Sequence, residues 1–371
     1  MSSSIDAAQQ ALGQLFITGF KGLELSEETS AFITQAGIGG VILFAHNYES
    51  PGQVAELSNQ IQECRGKRHP LWISVDHEGA RVQRFKKGFT KIPEAAVIGA
   101  SDSPKLAFEL SEMIGHELNA VGVNLNFCPV ADIATNPKNP VIGARAYGTD
   151  EETVSKMVTA MVRGQLVAGV QACVKHFPGH GNTSTDSHFA LPRVDTSLEV
   201  LRAREFKPFS RAFKSHCAIV MTAHIIMTQI DPKVPATLSP KVVDLLLRKE
   251  LRYNRVVMTD DMEMKAITDH FGAEDAPRMA IQAGCDLLCY RTEAAARHAY
   301  ASLSKDLENG ILSPELVLAS EARIRTLKGE ALVPYHPAQI MELPKRVGTP
   351  ENQALVEKII TAAAANGYSE S

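Results

Sequence analysis

Eight short apolar runs, each followed by a longer amphipathic stretch, set the strongest limit on how this 371-residue chain can fold. Residues 14–20, 41–44, 71–75, 123–130, 170–175, 218–223, 256–259 and 286–290 are rich in Val, Ile, Leu and Phe and too short for ordinary helices. Between them, apolar residues recur at helical spacing, as in Val54, Leu57 and Ile61, or Leu106, Leu110, Met113, Ile114 and Leu118, or Val154, Met157, Val158, Met161, Val162 and Leu166. Ser26, Ser50-Pro51, Ser103-Pro104 and Ser239-Pro240 supply helix starts, and Gly37, Gly169 and Gly284 supply stops. A strand that is apolar along its whole length has both faces covered, as in a parallel sheet beneath helices; alternation is expected where one face meets water. Eight such units predict an α/β fold, a (β/α)8 TIM barrel, with an open doubly wound sheet as the rival. The polar residues favour the barrel. Asp76, Lys175, His176, His224 and Asp260 fall at or just after the ends of different strands, where barrel enzymes assemble their sites.

The alternation ends near residue 330, so residues 1–330 are expected to form the catalytic barrel and 331–371 a Pro-rich linker and C-terminal helix. Pro334, Pro337, Pro344 and Pro350 precede an alanine-rich helical stretch at 352–365. A tail of ~40 residues cannot bury a core of its own, so it packs on the barrel or on a partner subunit, leaving monomer and homodimer both open. Net charge is −4, from 38 basic and 42 acidic residues without long blocks, which gives no electrostatic case for nucleic acid or membrane and points to a small-molecule substrate. Residues 1–10 carry no lysine or arginine, and Gly13, Gln14, Thr18 and Gly19 interrupt the first apolar segment, so neither a signal peptide nor a membrane span is expected. Cys64, Cys128, Cys173, Cys217, Cys285 and Cys289 are scattered, mostly in apolar runs, and form no Cys-x-x-Cys pair. Reduced thiols, a cytoplasmic location, no structural metal and no cofactor are the expectation.

Titratable chemistry concentrates after the fifth run, in Lys175-His176-Phe177-Pro178-Gly179-His180-Gly181-Asn182-Thr183-Ser184-Thr185-Asp186-Ser187-His188. Proline and glycine require a sharp turn, which places the residues beyond them on a loop at the carboxyl end of a strand. A carboxylate two residues from an imidazole can accept its N–H and fix its tautomer, so Asp186 and His188 read as a general acid/base pair; the plainer reading is a loop pair making turn hydrogen bonds. Asp260, last on the seventh run, reads as a nucleophile aimed into the mouth, or more plainly as a helix cap. Adjacent strand-end carboxylates cannot face one point, so Asp261 has a supporting role. Asp76, Arg84, Arg145, Lys175 and His176 together supply charged donors and acceptors suited to a ring of hydroxyls, although a salt bridge would explain each one singly. His46, His69, His116, His180 and His270 are assigned to structure or solvent, and His224 to the mouth.

The segment from Lys175 to Gly181 with Asp186-Ser187-His188, the segment Val75-Asp76-His77-Glu78-Gly79-Ala80-Arg81-Val82-Gln83-Arg84, and Thr259-Asp260-Asp261-Met262-Glu263-Met264 resemble glycoside hydrolase family 3. More narrowly, they resemble its β-N-acetylglucosaminidase branch, whose bacterial members recycle cell-wall fragments. The resemblance spans most of residues 10–330 in the same order. It implies a (β/α)8 barrel, with Asp260 as nucleophile and His188, partnered by Asp186, replacing the usual carboxylic acid. It also implies that Asp76, Arg84, Arg145, Lys175 and His176 surround a terminal N-acetylglucosamine. Ala80 stands where a second glycine is usual, His77 where glutamine is common and Asn182 where aspartate is common.

The expected reaction is a retaining exo-hydrolysis of β-linked N-acetylglucosamine through a glycosyl-aspartate, on peptidoglycan-derived muropeptides. Another β-glycosidase activity stays open. So does phosphorolysis, because a neutral imidazole does not repel an anionic acceptor. A different class, a metal-dependent amidohydrolase barrel, would use His176, His224 and Asp260 as ligands, yet residues 14–21 lack the His-x-His pair such sites need. A silent sugar-binding barrel is the third class.

Overall fold

The computed structural model of the chain describes residues 2–183 and 191–369. Eight strands are β1 (Phe16–Thr18), β2 (Gly40–Leu43), β3 (Trp72–Val75), β4 (Leu125–Asn126), β5 (Gln171–Phe177), β6 (Ile219–Thr222), β7 (Val256–Asp261) and β8 (Leu287–Tyr290). They close into one barrel in which every neighbouring pair is parallel and β1 pairs with both β2 and β8. The α/β (β/α)8 TIM barrel read from the sequence is therefore the fold, and the open doubly wound alternative is excluded by closure. Each strand is buried along almost its whole length, as a sheet sandwiched between a packed interior and a helical coat requires.

The helices begin where short polar caps satisfy free backbone N–H groups. Ser26, Ser50, Ser103 and Asp150 each accept from the first turn of the helix they open, and Gly37 and Gly284 end theirs in the left-handed region. The fourth strand is shorter than its apolar run. Residues 123–130 contain Pro129, which has no N–H to donate, and only Leu125–Asn126 join the ladder before a lone bridge from Val130 to Lys175. The fifth is longer. It continues through His176 to Phe177 and breaks at Pro178, where the sequence puts the turn, so Lys175 and His176 both stand on the strand.

A helix over Ser2–Leu12, unmarked by any cap in the sequence, lies against the helix Pro314–Ala331 and buries Ala8 and Leu12. The helix Pro350–Ala365 lies on Ala95–Ala100 and Pro104–Ala120, burying Val356, Ile359 and Ala363. Glu117 ties it down, accepting from the Gly348 N–H and the Asn352 amide, each at 2.8 Å. All six cysteines are buried thiols. Among the described residues, no helix is long and apolar enough to cross a membrane.

Candidate active site

At the carboxyl ends of the strands lies a cavity of about 230 Å³, lined by Asp76, Arg81, Arg84, Arg145, Lys175, His176, His180 and Asp260 among others. Asp76 directly follows β3. The chain then folds into a small hairpin, His77–Gly79 against Val82–Gln83, that swings Arg84 back over the mouth. Ala80 sits at its turn with a φ of +43°, a conformation glycine adopts freely, so alanine in place of the usual glycine carries backbone strain. Asn126 on β4 fastens the hairpin by accepting from the His77 N–H at 3.0 Å.

The floor of the cavity is an ionic cluster. Lys175 Nζ lies 2.8 Å from Asp76 Oδ1 and 2.6 Å from Glu78 Oε1. Glu78 also receives Arg145 through two bonds, from Nε at 2.8 Å and Nη2 at 2.7 Å, while Arg84 reaches Asp76 at 3.4 Å. Burial works against every one of these charges, but mutual attraction outweighs it. The carboxyls of Asp76 and Glu78 are held below the usual range, and the Lys175 ammonium is held above its own. Lys175 is therefore a permanent cation, and Asp76 a permanent acceptor, at neutral pH.

A second cluster orients the imidazoles. Asp132, fully buried after β4, has Oδ2 2.6 Å from His176 Nδ1, and its Oδ1 accepts the His180 N–H at 2.6 Å. Burial disfavours this carboxylate, while the imidazoles of His176 and His180 and the bonds they donate keep it ionised. It fixes Nδ1 of His176 toward the protein in a ring that lines the cavity. Burial pushes His180 down to about 4, so it is a neutral ring; its Nδ1 is 2.9 Å from Thr183 Oγ1.

Asp260 and Asp261 separate as their adjacency requires. Between Met258 and Asp261 the register of β7 against β8 shifts. Asp260 lines the cavity; Asp261 instead accepts the N–H groups of Glu263 and Arg291, at 3.0 and 3.3 Å. Burial alone would raise Asp260, but nearby His176 and His224, the Asp261 N–H and Lys175 overcome it and keep its carboxyl below the usual range. Burial raises Asp261 to about 7. The ionised member of the pair is thus the one facing the cavity.

Of the residues singled out in the sequence, Asp76, Arg84, Arg145, Lys175, His176 and Asp260 meet in this one cavity, while Asp186 and His188 lie outside the described residues. Two histidines exchange roles. His180, assigned to structure, lines the cavity. His224, assigned to the mouth, does not; its ring nitrogens face Thr237 Oγ1 at 2.8 Å and the Asp261 carbonyl at 3.0 Å. The ligand set of the amidohydrolase alternative is thereby not assembled: among the described residues, no three His, Cys, Asp or Glu side chains are placed to hold a metal ion. Glu78, Asp132 and Arg81 join the site without having been expected there.

A sequence model of the Glycosyl hydrolase family 3 N terminal domain matches residues 8–327. The chain belongs to glycosyl hydrolase family 3. Within it, the chain is 35% identical to Beta-hexosaminidase A of Pseudoalteromonas piscicida over 91% of its own length and 61% of that protein's, so it spans about three fifths of that relative. It is 38% identical to a Beta-hexosaminidase of Alkalilimnicola ehrlichii, covering 76% of this chain and 82% of that one. Among solved structures, a glycoside hydrolase family 3 beta-N-acetylglucosaminidase from Paenibacillus superposes with a TM-score of 0.92 at 41% identity, over 96% of this chain and 68% of that chain. A Beta-N-acetylhexosaminidase from Beutenbergia cavernae superposes at 0.80 with 30% identity, over 87% and 98%. In this family 3 chain the carboxylate at the end of β7 faces a floor of paired charges.

Proposed function

We propose that this family 3 chain is a retaining exo-β-N-acetylglucosaminidase that removes terminal β-linked N-acetylglucosamine, acting in the cytoplasm on muropeptides released from peptidoglycan. The observation that carries the reading is the ionised Asp260 in one small cavity with the Lys175, Asp76 and Arg84 cluster. The names of the relatives support the sugar, and the resemblance to the cell-wall-recycling branch supports the natural substrate.

In this mechanism the charged floor grips the hydroxyls of the terminal sugar. Arg84 and Lys175 donate, Asp76 accepts, and Arg145 and Glu78 hold Lys175 in place. His176, set by Asp132, offers Nε2 to the same ring. Asp260 attacks the anomeric carbon as the bond to the leaving oxygen lengthens. His188, oriented by Asp186, gives that oxygen its proton, then takes one from the water that releases the sugar from Asp260. Two inversions at one carbon return the β-anomer. Residues 1–330 carry this chemistry and 331–371 brace the barrel's exterior, and the burial of the tail helix on its own barrel supports a monomer.

Following cleavage of an aryl β-N-acetylglucosaminide and of a muropeptide by proton NMR tests the proposal, since neither leaving group is itself N-acetylglucosamine. The β-anomer of N-acetylglucosamine should appear first, before mutarotation; the α-anomer first would defeat the glycosyl-aspartate, and an uncleaved muropeptide would defeat the substrate assignment.

A further inference from the structure

A second cavity, of about 710 Å³, opens at the carboxyl ends of β8, β1 and β2 and is lined by Phe20, Lys21, Phe44, His46, Arg291 and Thr292 among others. It takes up the side of the mouth that the first cavity leaves unused: Asp76, Lys175 and His176 come from β3 and β5, whereas Asp260 comes from β7. Two contacts join the cavities. The Arg84 guanidinium carbon lies 6.0 Å from the centre of the Phe44 ring, and Arg291 donates its N–H to Asp261, the neighbour of Asp260. If the hydroxyls of a terminal sugar rest on the Lys175 cluster and its anomeric carbon meets Asp260, the bond to be broken leads away from β3 to β5, toward this second space.

Its walls suit a pyranose. Phe44 and His46 present near-parallel rings 5.6 Å apart at 16°, and the C–H face of a sugar packs against such rings through their electron-rich faces. The wall is set in advance. Asn47 accepts the Phe44 N–H at 2.9 Å and donates to the Phe20 carbonyl at 3.0 Å, and that carbonyl is also 2.9 Å from His46 Nε2. Lys21, Arg291 and Thr292 offer polar atoms at the rim. The charges are largely spent: Arg291 faces Asp261 at 3.5 Å, and Glu293, a further lining residue, accepts from Arg297 Nε at 2.7 Å. A near-neutral, aromatic-walled cavity favours a sugar ring over a polyanion.

We infer that the cavity walled by Phe20, Phe44 and His46 receives the leaving-group sugar, the pyranose to which the terminal N-acetylhexosamine is β-linked. The inference rests on the glycosidase reading above, and its test separates the two. Specificity constants are measured for N,N′-diacetylchitobiose, which carries a second ring, and for methyl β-N-acetylglucosaminide, which does not. Wild-type protein that cleaves neither overturns the glycosidase reading itself. Given activity, Phe44→Leu keeps the wall's bulk but removes its aromatic face, and should lower kcat/KM for the disaccharide by about tenfold while leaving the methyl glycoside within about twofold. His46→Ala, in which Asn47 still holds the Phe20 carbonyl, should shift the ratio the same way by about threefold. Equal losses on both substrates would mean that Phe44 only supports Arg84, and an unchanged ratio would mean that no sugar sits there; either result overturns the inference.

Discussion

Two lysines are buried in this barrel, one at each end, and they live under opposite rules. Lys175, at the catalytic mouth, sits between Asp76 and Glu78 and is held charged far into the alkaline range. Lys328, at the closed end, donates to the Gly39 carbonyl at 2.7 Å and the Gln14 amide oxygen at 3.0 Å, with the Trp72 ring 6.0 Å away. Burial pushes it down to about 7. Dipoles satisfy its hydrogen bonds without compensating its charge. The mouth keeps its ions by pairing them; the closed end tolerates a polar plug that seals the barrel beneath β1 and β2.

Substitutions can break or sharpen this contrast. The largest effect belongs to the mouth: Asp260→Ala should lower kcat on an aryl N-acetylglucosaminide by on the order of 10⁴-fold while thermal unfolding is nearly unchanged, because the carboxylate faces the cavity and not the core. Near-normal turnover would remove Asp260 from the chemistry. Lys175→Met should cost activity and stability together, about 3–5 kcal/mol by denaturant titration, since two buried carboxylates lose their cation. A purely catalytic loss would show that Arg84 and Arg145 suffice to balance them.

Asp261→Asn should change kcat by less than about tenfold, because this side chain holds backbone N–H groups outside the cavity. Its pH signature is separate. A carboxyl raised to about 7 when folded binds a proton that the unfolded chain has already released, so native stability falls as pH rises from about 4 to 7. Melts of the Asn variant should lack that slope.

Lys328→Met should leave kcat/KM unaltered and stability at pH 7 within about 1–2 kcal/mol, since loss of a strained charge offsets two orphaned acceptors. With its folded pKa about 7 and an unfolded value near 10.4, the unfolded chain holds the extra proton between them. Wild-type stability relative to the variant should therefore rise with pH across that window and be poorest below 7. A flat difference would show Lys328 fully charged in the native state, and the contrast with Lys175 would vanish.

The barrel was legible because its signal is local and repeated: eight apolar runs, capped helices between them, and polar residues at strand ends. Asp76, Lys175 and Asp260 could be placed for the same reason, each standing at the end of a recognisable run. Asp132 could not. It lies in a Pro- and Asn-rich connection with no motif around it, and its meaning comes only from His176, 44 positions away, meeting it in space. Glu78 is hidden by its nearness to Asp76 in one motif, although it is the carboxylate that binds both Lys175 and Arg145. The two misassigned histidines share one cause: sequence shows where a ring enters a loop or leaves a strand, but the direction of its side chain depends on bends such as the turn at Pro178.

Asp132 also makes the imidazole of His176 and the chain at His180 a single mechanical part, clamped by two oxygens of one side chain. Substitutions in the turn are then felt as changes in ring aim, and altered aim as a changed shape of the cavity wall. The wall can thus be tuned from beneath, without replacing the imidazole that lines the cavity.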